Sequence, residues 1–339
     1  VGYVGNYIER SREGELAAMQ QLDDPVADQR ALVISDVSIV LVAVIWGSTY
    51  VVMQIVGHSL PVMAFLALRF VCSLPVIAVM GRRSLRALTA HEVRSGALFG
   101  TLLFGVLACE TAGVRFTSAA NAGFLITVSV VLIPLFEWAL FRRRYHALVY
   151  VATLCGLAGC GLLSLAHGFR PQLGDLIILG AALIRGFQIT LFGRGSARSG
   201  PQSLVNITFV EFVVVTLLAG VASAAFETGV PERIGQLTGS TWLLIGYLGV
   251  LGTSFAFFAQ LRSARIGGSA RVGIILSTEP VFAALFAVLL AGELLGPLQV
   301  AGGVLIVGAA LIGRLMTGRE AGPARRNRRL AGAGPRPHD

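Results

Sequence analysis

Four charged side chains stand near the centres of long apolar runs: Arg69, Arg185, Glu211 and Glu279. A charge at the middle of a membrane-crossing helix costs about 2.5–3.5 kcal/mol on insertion scales, so each must be paired, share a watery cavity or bind something. Two are basic and two acidic, so their formal charges cancel. Such a set could hold the charged groups of a small organic molecule or relay a proton. It could equally lock helices together as ion pairs. Arg69 reads as mainly structural, its guanidinium paired with a carboxylate at all times. Glu279 reads as the leading coupling candidate, because a carboxyl that meets an apolar surrounding and an arginine by turns can take up and release a proton. Glu110 lies near the outer end of its run, within reach of interfacial water. Trp46 stands in mid-run, where it could stack on an organic substrate or simply pack. Pro134 and Pro280 fall inside apolar runs. A mid-helix proline lacks the N–H and collides with the carbonyl four residues back, so both are expected to kink their helices, at the carbonyls of Val130 and Leu276.

Other chemistry is excluded by what is missing. None of the 27 basic residues is Lys, which removes a Walker-A phosphate loop and lysine Schiff-base chemistry. The five histidines fall at run edges or in the C-terminal tail, so neither a buried imidazole base nor a metal centre is expected. Cys72, Cys109, Cys155 and Cys160 form no CxxC pair and read as small buried hydrophobes. No cofactor is expected and no enzyme activity.

The elements that must carry these residues are read from composition. The chain of 339 residues is 55% hydrophobic and only 13% charged, about half the roughly 25% of soluble proteins. Apolar runs at 37–57, 61–80, 96–113, 119–141, 147–166, 175–193, 203–226, 241–261, 270–292 and 297–317 each suit a membrane-spanning helix. The expectation is an all-α integral membrane protein with ten transmembrane helices. Residues 1–36 read as a polar N-terminal tail, whose first 18, ahead of Met19, are expected to add nothing to folding or transport. Residues 318–339 read as a disordered Arg-rich tail near anionic lipid, with no nucleic acid as partner. If the N-terminus is cytoplasmic, the inner loops hold eleven arginines (82, 83, 86, 94, 142, 143, 144, 194, 198, 262, 265) and the outer loops three, Arg115, Arg170 and Arg233. That asymmetry puts both termini inside the cell membrane.

The chain also repeats itself. DVSIVLVAVIWG (36–47) matches DLIILGAALIRG (175–186), and RFTSAANAGFL (115–125) matches RIGGSARVGII (265–275). Trp46 thereby corresponds to Arg185, and Glu110 to Gln260. Five spans fall in 37–166 and five in 175–317, either side of a linker at 167–174. An odd number of spans per half makes the second half insert upside down, which is a transporter arrangement with a midplane site. Gly96/Gly100 and Ala309/Gly313 have the spacing of close helix contacts, within the protomer or in a homodimer.

These segments resemble the EamA-like family of the drug/metabolite transporter superfamily. The resemblance rests on AVIWGSTYVVMQ (43–54), ALRF (67–70), ETAGVRFTSAANAGFLITVSVVLIPL (110–135), STEPVFAALFAVLLAGELL (277–295) and AGGVLIVGAALIG (301–313). It implies ten helices in two inverted five-helix repeats and secondary transport of small organic compounds, often outward. FRRRY (141–145) departs from the Gly-Glu that the second half keeps at 292–293. Arg185 and Glu110 also depart from the usual residues at their places. The expected function is a secondary transporter for a small organic metabolite or drug-like compound, exporting by alternating access and driven by a proton or substrate gradient. A passive channel, a lipid scramblase and a non-transporting membrane scaffold are the alternatives.

Overall fold

The structure, a computed structural model, describes residues 25–142, 144–165, 172–198, 204–267, 269–312 and 315. The tail before residue 25, most of the 167–174 linker, Gly313 and the tail from residue 316 lie outside the described residues. Among the described residues every regular element is helical.

Helix α1 (Pro25–Gly57) begins at Pro25 rather than at residue 37, because nothing between Val26 and Asp36 breaks a helix and proline suits a first turn. It is followed by α2 (Val62–Leu85), α3 (Ala90–Gly113), α4 (Ala119–Phe141) and α5 (Ala147–Leu165). Then come α6 (Leu173–Arg198), α7 (Leu204–Phe226) and the short α8 (Val230–Gly235). Next, α9 (Gly239–Gly249), a π-helical turn (Val250–Phe255) and α10 (Ala256–Gly267) run on as one rod. Finally α11 (Ser269–Leu276), α12 (Glu279–Ala291) and α13 (Pro297–Ile312) complete the described chain. Among the described residues, eight segments are long and apolar enough to cross a membrane. Two more, Ala147–Gly159 in α5 and Pro297–Ile312, are apolar but shorter. The outside of the bundle is greasy: Val79, Leu154, Val221, Leu243 and Val304 are all exposed, a surface that suits lipid and not water.

Packing follows a cross-linked order. α7 packs on α2 and α3, and α6 on α3 and α4. In the same way α2 receives α9 and the π turn, while α1 receives α10 and α12, and α12 packs on α4. Glycines allow the close approaches between helices, two of them beside charged residues of the core. A methyl on Gly100 would come within 2.8 Å of Val214 and 2.9 Å of the Glu211 backbone. One on Gly249 would come within 2.6 Å of the Arg69 carbonyl oxygen. The Gly96/Gly100 pair therefore makes a close contact inside the protomer, with α7. A row of edge-to-face rings crosses the bundle: Phe70–Phe212 at 5.1 Å, Phe212–Phe257 at 5.3 Å and Phe257–Trp46 at 5.9 Å. Each such pair adds about 0.5–1.5 kcal/mol beyond burial. Cys155 departs from expectation: it faces outward from α5, where lipid serves a small apolar side chain as well as a core does.

The prolines differ from each other. Pro134 is buried inside the unbroken α4, and Thr153 of α5 donates to the neighbouring Val131 carbonyl at 3.2 Å. Pro280 is not in a helix interior. The chain breaks at Ser277–Thr278, and Pro280 stands in the first turn of α12. The missing N–H costs nothing there, since first-turn N–H groups have no partner within the helix.

Candidate functional site

A cavity of about 570 Å³ lies between the helices. Its wall includes Trp46, Arg69, Glu110, Arg185, Glu211 and Glu279, all six of the residues singled out by type and position. Pro134 also lines it, whereas Pro280 does not.

Each side chain is held in a definable way. Trp46 and Arg185 come from α1 and α6 and meet face on, the guanidinium carbon 5.9 Å from the indole ring. Such cation–π contacts add about 0.5–2 kcal/mol, most when desolvated. The Trp46 indole N–H donates to the Gly252 carbonyl at 2.9 Å. That carbonyl is in the π turn, whose i→i+5 ladder is rare and often found at functional sites. Thr253 closes the same turn by donating to Leu248 at 2.8 Å and accepts from Arg69 Nε at 2.9 Å. Arg69 also points Nη1 at the Met53 sulfur, 3.8 Å away. Its hydrogen-bond partners are thus neutral. Glu110 and Glu211 are buried in α3 and α7.

Glu279 stands half-buried at the first position of α12, where the helix dipole favours a negative charge by about 0.3–1 kcal/mol. Tyr50 of α1 donates its hydroxyl to Glu279 Oε1 at 3.1 Å. Residue types alone did not single out Tyr50, Gln188 or Thr253, which also belong to this site or its wall. The one available signal for Thr253 was its place beside Gly252 in a long apolar run.

The cavity is one-sided. Its wall reaches Leu204 at the start of α7, Val149 at the start of α5 and Phe192 late in α6. All three lie toward the face where α4 ends and α5 begins. At the opposite face polar clasps join the helix ends. Glu293 accepts from the backbone N–H groups of Ala119 at 2.6 Å and Ala120 at 3.2 Å. With Ser118 taking the Asn121 N–H at 3.1 Å, the start of α4 is satisfied. Glu227 does the same for α2, accepting from Met63 and Ala64, both at 2.8 Å. Arg115 donates to the Gly57 carbonyl at 2.7 Å and to that of Leu60. Burial lowers the Arg115 pKa from its ordinary value, while Glu227 raises it and Arg233 lowers it. Thr117 and Asn121 both reach Asp175, tying α4 to α6. Glu293, just beyond the end of α12, thus caps the start of α4.

Among the described residues no group of three or more His, Cys, Asp or Glu side chains could hold a metal. The site offers charged groups, an aromatic face and space.

The sequence pattern of the EamA-like transporter family matches this chain twice, over residues 33–165 and again over 172–314. The chain belongs to that family. Its relatives include an uncharacterized transporter of Archaeoglobus fulgidus, 29% identical over 279 residues, covering 82% of this chain and 85% of the relative. The uncharacterized inner membrane transporter YedA of Escherichia coli (strain K12) is 26% identical, covering 79% and 87%. The uncharacterized transporter YwfM of Bacillus subtilis is 26% identical, covering 80% and 93%. A protein of known crystal structure shares the fold with a TM-score of 0.57 at 24% identity, over 83% of this chain and 97% of its own. This EamA-family chain is thus a multi-pass membrane protein of a transporter family.

Proposed function

We propose that the chain is a secondary transporter that exports a small organic compound across the cytoplasmic membrane by alternating access. The observation that carries this reading is the charged cavity, lined toward one face and clasped by Glu227, Glu293 and Arg115 at the other. A molecule that fits about 570 Å³ lies within the usual range for drug-sized or smaller ligands. The eleven-to-three arginine asymmetry makes the lined face cytoplasmic, with both termini inside. The geometry then corresponds to an inward-facing state. Closure of that face and release of the clasps would present the cavity outward.

Ten spans in two inverted repeats complete the proposal, with the shorter helices α5 and α13 as the fifth and tenth. The packing supports it. Exchanging each helix for its counterpart turns the contact of α7 with α3 into that of α2 with α9, and α6 with α4 into α1 with α12. The glycines follow the same exchange: Gly100 meets Glu211, and Gly249 meets Arg69. Arg69 and Glu211 thereby become counterparts of opposite charge across the pseudo-twofold axis. Trp46 and Arg185, counterparts in sequence, touch each other.

Flux of a panel of charged and zwitterionic organic compounds into inverted vesicles, with and without a proton gradient, tests the function. Saturable uptake that depends on the chain supports it. Absence of saturation for every transported compound would support a channel or scramblase instead.

A further inference from the structure

A second hollow, of about 530 Å³, lies outside the charged cavity among α1, α2, the π turn and α10. Its lining shares no residue with that of the charged cavity. Arg30 and Arg262 are the charged residues of its lining, and no Asp or Glu lines it. Both arginines are exposed. Among the described residues neither is seen in a hydrogen bond or an ion pair. The rest of the wall is largely apolar, with Ile34, Met80, Phe255, Phe258 and Ile266. Ile34, Met80 and Ile266 are exposed, so the hollow opens on the greasy outside of the bundle.

Its depth in the membrane follows from the helices themselves. Arg30 stands seven residues before the apolar run 37–57 of α1, and Arg262 directly follows the run 241–261. Both guanidinium groups therefore fall outside the hydrocarbon, at the level of the lipid headgroups, with most of the apolar wall on the membrane side of them. Two cations at that level, with no acidic partner among the described residues, above an apolar groove, match one kind of molecule: a phosphodiester head with acyl chains attached.

We propose that this hollow is a binding site for a single anionic glycerophospholipid. Arg30 and Arg262 take the phosphate oxygens as charge-assisted hydrogen bonds, and an acyl chain lies along Phe255, Phe258 and Met80. Zwitterionic lipids carry an ammonium group that two arginines repel, so the site selects for net negative charge. The lipid would bridge α1 to α10, which also contribute Trp46 and Phe257 to the wall of the charged cavity.

The test uses the full chain purified in detergent and supplied with phosphatidylglycerol or phosphatidylcholine, with bound lipid counted by native mass spectrometry. The wild type should retain one phosphatidylglycerol, preferred over phosphatidylcholine by roughly tenfold. The variant R30Q/R262Q alters exposed side chains and should fold, yet lose that preference. The variant R82Q/R83Q, which removes arginines outside the hollow, should keep it. Equal retention of the two lipids by the wild type would overturn the proposal. So would a preference that survives in R30Q/R262Q, or one lost equally in R82Q/R83Q. Displacement of the lipid by soluble glycerol phosphate would reassign the hollow to a free phosphate compound and overturn the lipid assignment.

Discussion

Glu279 and Arg69 carry different weights once their surroundings are known. Glu279 is at the start of α12 and takes a hydrogen bond from Tyr50, so its charge is supported by a dipole and a donor that both belong to α1 and α12. A relative movement of those helices would withdraw the support. The variant E279Q keeps the shape but cannot ionise. It is expected to insert normally and exchange substrate for substrate, but to fail in accumulating substrate against a gradient. Full proton-driven accumulation by E279Q would remove Glu279 from coupling and turn attention to Glu110 and Glu211. Arg69 has Thr253 and Met53 as partners, so its loss strands no hydrogen-bonded carboxylate. The variant R69Q should therefore keep its membrane abundance and lose transport by about tenfold, the equivalent of one charge-assisted hydrogen bond. A collapse in abundance with unchanged flux per molecule would return Arg69 to a structural role. Arg69, Arg185, Glu211, Glu279 and Trp46 were legible in sequence because charges and Trp in mid-run are costly or misplaced there, and Glu110 because it stands opposite the neutral Gln260 in the repeat. Tyr50 and Thr253 were not, since a hydroxyl in an apolar helix can satisfy itself on a nearby carbonyl and so leaves no mark.

At the scale of helices, the spans were legible and their breaks were not. Apolar runs mark helix position directly, and the long observed helices fall on them, whereas the short α8 lies between two runs. Yet the run containing Glu279 looks continuous through 270–292, while the chain divides at Ser277–Thr278. Pro280 signals disruption without saying whether the helix bends or restarts. The π turn at Val250–Phe255 is equally silent, because its residues are ordinary for an apolar helix. The polar start of α1 reads in sequence as a tail, since hydropathy reports membrane depth and not helicity. Close contacts follow the glycines better. G100L would drive a branched side chain into Val214 and the Glu211 backbone, and overpacking of this kind costs about 1–3 kcal/mol. Lower melting temperature and lower abundance than wild type are expected, and an unchanged melting curve would show that α3 and α7 are not held together at this point. The clasps are a separate matter. E293Q weakens the acceptor for the first N–H groups of α4, and is expected to leave folding intact while making the clasped face open more often.

For the whole molecule, the twofold sequence match and the exchange of helix contacts point to a device with two related halves. Orientation was legible only as an arginine count, and reporter fusions can check it. A reporter active only outside the cytoplasm should light up in the 227–238 connection and stay dark in the 86–89 connection; the reverse pattern would invert the topology. The central claim is that the charged cavity is reached from one face at a time. Thiol accessibility measures this most directly. With Cys72, Cys109, Cys155 and Cys160 replaced by Ser, Thr127→Cys places one thiol in the cavity wall of α4. A membrane-impermeant maleimide is then applied to inverted and to right-side-out vesicles. Alternating access predicts fast labelling from the cytoplasmic face, slow labelling from the outer face, and an opposite change of the two rates when E293Q is added. Labelling from one face alone, unaffected by E293Q, would contradict the account, as would equally fast labelling from both faces at once.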